Sequence, residues 1–192
     1  MQTYKVTVDG QGSIHWYTKE GSRHREGGLP AIEHTDGGKE WWKNGGRHRD
    51  GGLPASEWAD GTKEWWMDGK QHRDGGLPAV EWPDCSKQWW VGGKLHRDND
   101  LPALEWLEGH KEWHVNGQRH RDNDLPSVKF SNGDNHWWKN GKRHRDGGLP
   151  AIIRADGRQS WYIDGKEVSP PPPSCAGKIV EIDGKKYKLV SM

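Results

Sequence analysis

Apolar and polar residues alternate along this chain in short runs broken by turn-forming pairs, a pattern of strands rather than helices. The unit from Leu77 to Asp98 shows it. A strand over Ala79 to Trp82 leads to a turn at Asp84, a second strand over Lys87 to Val91 leads to a Gly-Gly turn, and a third segment covers Lys94 to Asp98. Sister units carry Asp60-Gly61 and Asn116-Gly117 at the two turns. Such pairs favour two-residue type I′ turns, because both central residues need positive φ. The Leu-Pro step then ends pairing, since proline has no N–H to give a ladder.

The pattern recurs every 24 residues: His24, His48, His72, His96, His120 and His144 are in phase, as are Pro30 to Pro150 and an aromatic from Tyr17 to Trp161. Six repeats and a partial seventh follow, and repetition replaces length as the guide to architecture. A two-residue second turn sets Trp65 opposite His72, Glu64 opposite Arg73 and Lys63 opposite Asp74, with Lys87–Asp98 and Glu112–Arg121 pairs repeating the pattern. Opposite charges across a sheet favour that register. It divides the side chains between two faces. A core face carries Trp65, His72 and Met67, joined by Ser56 and Trp58 if the Asp60-Gly61 turn also holds two residues; a three-residue turn stays open. The other face carries Trp42, Trp66, Trp90 and Trp138 interleaved with Arg49, Arg73, Arg97 and Arg145. These eight residues are the candidate binding surface, since indole platforms beside guanidinium groups can stack bases or sugars and contact phosphates.

The expected fold is all-β: an elongated, single-layer repeat sheet of stacked hairpins. Its parts are an N-terminal strand or cap (1–12), the array (13–167), a proline-rich linker (168–177) and a separate C-terminal hairpin (178–192). In W-W-x-N-G-x-x-H-R-D-G-G-L-P-A, spanning Trp137 to Ala151, the chain resembles the MORN class of tandem β-hairpin repeats, and is similar to MORN-like proteins of large DNA viruses and phages. The resemblance implies a spacer or interaction platform, in a virion or a host cytoplasm.

Composition changes this picture little. With 29 basic and 28 acidic residues the net charge is +1, which gives no global pull toward nucleic acid or an anionic surface, while 14 Trp point to an aromatic core. Cys85 and Cys175 lack metal-ligand spacing and are expected to be reduced thiols of a cytosolic protein. No apolar run is long enough to cross a bilayer. His-Arg-Asp resembles a kinase catalytic triplet, but it recurs in 24-residue phase with no phosphate loop beside it; catalytic sites are singular, whereas structural ladders repeat. Equivalent histidines lie too far apart to share one metal ion. The expectation is therefore a non-catalytic scaffold without cofactor that binds another protein. Nucleic acid or glycan on the Trp/Arg face is the alternative, and self-association is allowed. Beyond four consecutive prolines, a stiff spacer, the final hairpin offers Ile179, Ile182, Tyr187 and Leu189 for partner docking.

Overall fold

The computed structural model describes residues 4–172, 179–182 and 185–188. Cut at the Leu-Pro step, the array consists of 24-residue units, 29–52, 53–76, 77–100, 101–124 and 125–148, led in by 5–28 and closed by 149–172. Each unit makes two hairpins. In unit 53–76 the inner hairpin pairs Ser56–Glu57 with Lys63–Glu64, and the neighbouring units' Lys39–Glu40 and Val80–Glu81 pair on either side. Repetition builds one antiparallel sheet of 15 strands, running from Lys5–Val8 to Lys166–Val168. At a spacing of roughly 4.8 Å per strand it extends about 67 Å.

The outer hairpin pairs Trp66–Met67 with Lys70–Gln71, and the His72 amide donates to the carbonyl of Trp65 opposite it. Its turn has the predicted type I′ character: Asp68 and Gly69 sit at φ 48° and 75°. The outer hairpins form a second row of two-stranded sheets beside the main one. Two bonds join each to its predecessor. The Gly69 amide donates to the Arg47 carbonyl (3.0 Å), and the Asp68 amide donates to His48 Nδ1 (3.2 Å).

The inner turn differs from the two-residue reading. Trp58 and Thr62 close a loop of three residues, with the Trp58 amide on the Thr62 carbonyl and Gly61 at φ 90°. The extra residue sets Ser56 opposite Glu64, so Ser56 and Trp58 lie on the face of Glu64 and not that of Trp65. The anticipated Glu64–Arg73, Lys63–Asp74, Lys87–Asp98 and Glu112–Arg121 pairs do not form. The strand Lys63–Glu64 is already paired on both edges, by Ser56–Glu57 and by Val80–Glu81, so the third segment has no free edge to join and leaves the outer hairpin after His72. Charge alternation runs along the main sheet instead, within the inner hairpins and across the unit boundary: Glu57, Lys63, Glu81 and Lys87 are successive cross-strand neighbours.

Trp41, Trp65, Trp89, Trp113 and Trp137 form the buried spine, each 5–8% exposed. Beside it runs a fully enclosed column of Ala31, Ala55, Ala79, Ala103, Ser127 and Ala151, all at 0%. A close-packed interior leaves no volume there for a longer side chain. Met67, expected in the core, is 41% exposed because it stands at the tip of the outer hairpin. The strands Ile179–Ile182 and Lys185–Lys188 form their own two-stranded sheet, as the alternation predicts.

Candidate functional site

The His-Arg-Asp-Gly-Gly step is the junction between units, and each residue has a mechanical task. His48 Nδ1 accepts the next unit's turn amide, so Nε2 carries the proton and donates to Asp50 (2.9 Å). The arrangement recurs at His72, His96, His120 and His144, and at His24 with Glu26 farther from Nε2, at 3.7 Å; the Nδ1 bonds are 3.1–3.3 Å throughout. Arg49 lies 3.6 Å above the Trp41 ring and donates to the Pro54 carbonyl and to Glu57 of the following unit. The spine indole donates backward to the preceding loop: Trp41 Nε1 to Gly28 O (2.8 Å), and equivalently at Trp65, Trp89, Trp113, Trp137 and Trp161. Between units 29–52 and 53–76 the junction thus combines a stacked cation, an ion pair and four hydrogen bonds.

This geometry separates the eight residues expected to share a face. Arg49, Arg73, Arg97 and Arg145 stack on the spine residues Trp41, Trp65, Trp89 and Trp137 at 3.6–4.0 Å. Trp42, Trp66, Trp90 and Trp138 form a different, half-buried column. The chain's departure from the outer hairpin after His72 puts the two sets apart. The guanidiniums that do meet the second column are Arg23, Arg47, Arg119 and Arg143, which sequence reasoning passed over. Their signal was available: Arg47, Arg119 and Arg143 stand directly opposite Trp42, His114 and Trp138 across the second turn.

On this second face the indoles are tied to buried acids. Glu40 accepts from Trp42 Nε1 (3.0 Å), His34 (2.9 Å) and Arg47 (2.7 Å). Burial pushes its carboxyl upward, but the His34 bond, the Arg47 charge and the other donors outweigh that and hold it below the ordinary range. Glu112 is similar: burial opposes ionisation, yet His114, Arg119 and His110 hold the carboxyl well below its usual value. A row of aromatics, His34, Trp58, Trp82, Trp106 and Phe130, borders this face, with Trp82 and Trp106 stacked at 5.7 Å. Trp106 is 39% exposed.

A second repeated feature lies between successive loops. Leu29, Leu53, Leu77, Leu101, Leu125 and Leu149 project one per unit, 39–50% exposed. Grooves open beside them. The first, about 390 Å³, is bordered by His24 to Leu29, the Trp41-Trp42 pair and Leu53. Its counterpart one unit later, about 350 Å³, has Met67 and Leu77 in its walls. In the closing unit Val168, Ser169 and Pro171 stand where His, Arg and Gly stand elsewhere, so the proline segment begins as the last groove's wall. A Cβ on Gly148 would stand in van der Waals contact with Pro171 Cγ there.

Among the described residues no group of three or more His, Cys, Asp or Glu side chains is arranged to hold a metal ion. Cys85 is an exposed free thiol, and Cys175 lies outside the described residues. Of the tail residues expected to dock a partner, Ile182 and Tyr187 are 56% and 49% exposed; Ile179 stands in the first strand, its side chain outside the description, and Leu189 lies beyond it. No family model matches the chain, and no curated protein proves similar to it.

Proposed function

We propose that the chain is a non-catalytic repeat scaffold that engages another protein along the row of leucine-rimmed grooves, with the C-terminal hairpin as a second docking element. The observation that carries this reading is the leucine row: six apolar side chains, one per unit, left exposed beside grooves of similar make. An exposed apolar row spread over a whole array is more than the scattered surface leucines every protein has, and it suits an apolar partner surface. The mechanical use of every His-Arg-Asp triplet supports a structural role for that motif. The resemblance to MORN-like arrays supports the same platform role.

The alternative, nucleic acid or glycan on the Trp42 column, loses support from the same geometry. Arg47 and Arg119 are engaged by Glu40 and Glu112, and those carboxylates oppose phosphate. The half-exposed aromatic border at Trp82 and Trp106 is the feature that would serve a sugar. Replacing Leu53, Leu77 and Leu101 together by Ser tests the choice. The variant is expected to keep its thermal melt and to lose a protein captured by the parent chain, while oligonucleotides and oligosaccharides leave the Trp fluorescence of both unchanged. Saturable quenching by either ligand, with capture unaffected by the leucine changes, would replace the proposal.

A further inference from the structure

The second face carries a repeated carboxylate position, and its last two copies have lost the acid while Arg143 remains and Arg154 is added. In unit 29–52 that position is Glu40, gripped by Arg47 Nε and Nη2 (3.1 and 2.7 Å). In unit 53–76 it is Glu64, which accepts from Trp58 (3.2 Å), Trp66 (2.8 Å) and, more distantly, Arg47 (3.5 Å). In unit 101–124 it is Glu112, held by Arg119 Nε and Nη2 (2.8 and 3.2 Å). Unit 77–100 drops both signs together: Gln88 replaces the acid, and Gln71 and Leu95 stand where arginines stand elsewhere.

The last two units break that compensation. His136 and Ser160 occupy the acid position, yet Arg143 remains and Arg154 is added at the place of Trp58. Arg143 lies between Trp138 and Tyr162, 5.1 and 5.0 Å from their rings, with no carboxylate at ion-pair distance among the described residues. Its Nε is buried without an acceptor, and so is Trp138 Nε1, the donor whose counterparts Trp42 and Trp66 bind Glu40 and Glu64. Among the described residues the Arg154 guanidinium reaches only the Ser160 hydroxyl, at 3.4 Å. Glu167, on the adjoining strand, is exposed and forms no ion pair with Arg143. By repeat register both orphans point to the place of His136, as Arg47 Nε and Trp42 Nε1 point to Glu40, whereas the Arg143 tip is aimed at Ser160, as Arg47 Nη1 is aimed at Glu64. At Ser160 two guanidiniums therefore flank a hydroxyl where the earlier unit has a carboxylate, and two like charges beside each other call for an acid from outside. Ser160 is shorter than Glu by a methylene and a carboxylate, which are the atoms the earlier units place between the cations.

We infer that the junction of units 125–148 and 149–172 is a carboxylate-binding site, in which an external carboxylate lies over Ser160 between the Arg143 and Arg154 guanidiniums and beside the Tyr162 ring. Carboxylate fits better than phosphate because the position holds Glu beside Arg in the earlier units, and in unit 101–124 the Arg119 fork spans both coplanar oxygens of Glu112. The site takes the acid whether a small molecule or a partner's Glu side chain carries it, and so stands apart from the scaffold reading.

The test follows the Arg143 Nε–H and Trp138 Nε1–H NMR signals of the full chain, assigned with Arg143→Lys and Trp138→Phe. Titrants are glutarate, the tripeptide Ac-Ala-Glu-Ala-NH2 and its Gln counterpart, at constant ionic strength balanced with chloride. Saturable movement of the Arg143 signal by glutarate or the Glu peptide, absent with the Gln peptide, is the expected result. Whichever acid saturates at about tenfold lower concentration names the source, a small acid or a protein side chain. Ser160→Glu supplies the missing carboxylate internally; it should raise the melting temperature and abolish the response. Flat titrations, equal movement by sulfate, or a shift of the Arg143 signal on Glu167→Gln with no acid added, which would make Glu167 the acceptor in solution, each overturn the assignment.

Discussion

The early and late units hold the same guanidinium over the same indole but find its counter-charge in opposite directions. Arg25, Arg49, Arg73 and Arg97 reach forward to Glu33, Glu57, Glu81 and Glu105 of the next inner strand, at 2.8–3.0 Å. Downstream, Lys129 and Ile153 stand at that strand position, and the forward partner is gone. Arg121 and Arg145 reach back instead, each with two bonds of 2.7–2.8 Å to Asp100 and Asp124 in the preceding loop. Those loops read Asn-Asp where the others read Gly-Gly, and both residues keep the left-handed backbone: Asn99 and Asp100 at φ 61° and 54°, Asn123 and Asp124 at 59° and 54°. Asn and Asp tolerate that region better than other side chains. The constant element is therefore a stacked Arg with a carboxylate beside it; which strand or loop supplies the acid is free to vary.

If the clamp rather than its partner is the invariant, spine substitutions should cost the same in both regions. Trp65→Ala and Trp137→Ala are each expected to lose about 3–5 kcal/mol in denaturant unfolding, the usual range for emptying a buried aromatic site. Trp66→Ala and Trp138→Ala, in the half-buried column, should lose distinctly less. A cost at Trp137 well below that at Trp65 would mean that the backward clamp is the weaker one.

The backward clamp can be removed alone. Asp124→Ala leaves Arg145, whose side chain is 13% exposed, without a carboxylate, while Asp124 itself is 50% exposed. Discounted for that exposure, the loss should be about 1–2 kcal/mol. Asp100 and Asp124 are both held below the ordinary carboxyl range, chiefly by the Arg121 and Arg145 hydrogen bonds. A lowered folded-state value means stability that is present above the unfolded pKa, near 3.9, and lost as pH falls through the folded one. Melts recorded from about pH 5 downward should therefore fall less steeply in Asp100→Asn/Asp124→Asn than in the parent. Parallel curves would show that those bonds contribute nothing to acid sensitivity.

Two smaller changes sharpen the same contrast. Cys85 sits at φ 71° in the inner turn, where Gly61, Gly109 and Gly133 serve in other units. Left-handed backbone costs a non-glycine residue roughly 1–2 kcal/mol, so Cys85→Gly should stabilise by about 1 kcal/mol. Further along, the Glu/Lys alternation of the outer strand positions ends where Lys111 faces Lys129. Lys129→Glu restores it and returns a forward partner to Arg121; a gain of about 0.2–1 kcal/mol is expected from a cross-strand charge pair. No gain in the urea midpoint would mean that Arg121 is already fully served by Asp100.

The 24-residue period, the hairpins and the type I′ outer turn were all legible in the sequence, because Asn-Gly and Asp-Gly pairs report backbone conformation directly. Facing was not. Trp58 to Thr62 could hold either turn length, and a single residue there inverts which side chains share a face. The charge pattern around Lys63 and Glu64 also fits two geometries, across the second turn or along the main sheet, and only the sheet's use of both strand edges decides between them. The leucine row shows in the sequence as part of Leu-Pro-Ala, but its exposure depends on where the loops point. The candidate Arg set failed for the same reason: His-Arg-Asp reads as strand by spacing, while the chain has already left the hairpin.

The smallest effect expected on stability concerns the tail. Val168, Ser169 and Pro171 continue the repeat register and close the last groove, so a cut at residue 168 would damage the array itself. A cut after Pro172 removes the remaining proline and the hairpin Ile179–Ile182/Lys185–Lys188, which pairs only with itself among the described residues. Deleting residues 173–192 should accordingly leave the unfolding free energy within about 0.5 kcal/mol of the parent, the range of changes that touch no packed feature. An isolated two-stranded hairpin is marginal in water, and Ile182 and Tyr187 are exposed on this one, so it gains most by lying on another surface. If that surface belongs to a partner, the deletion weakens partner capture with the melt unchanged. A melt lowered by several degrees, with capture intact, would instead make the hairpin a cap on the array and leave docking to the leucine grooves alone.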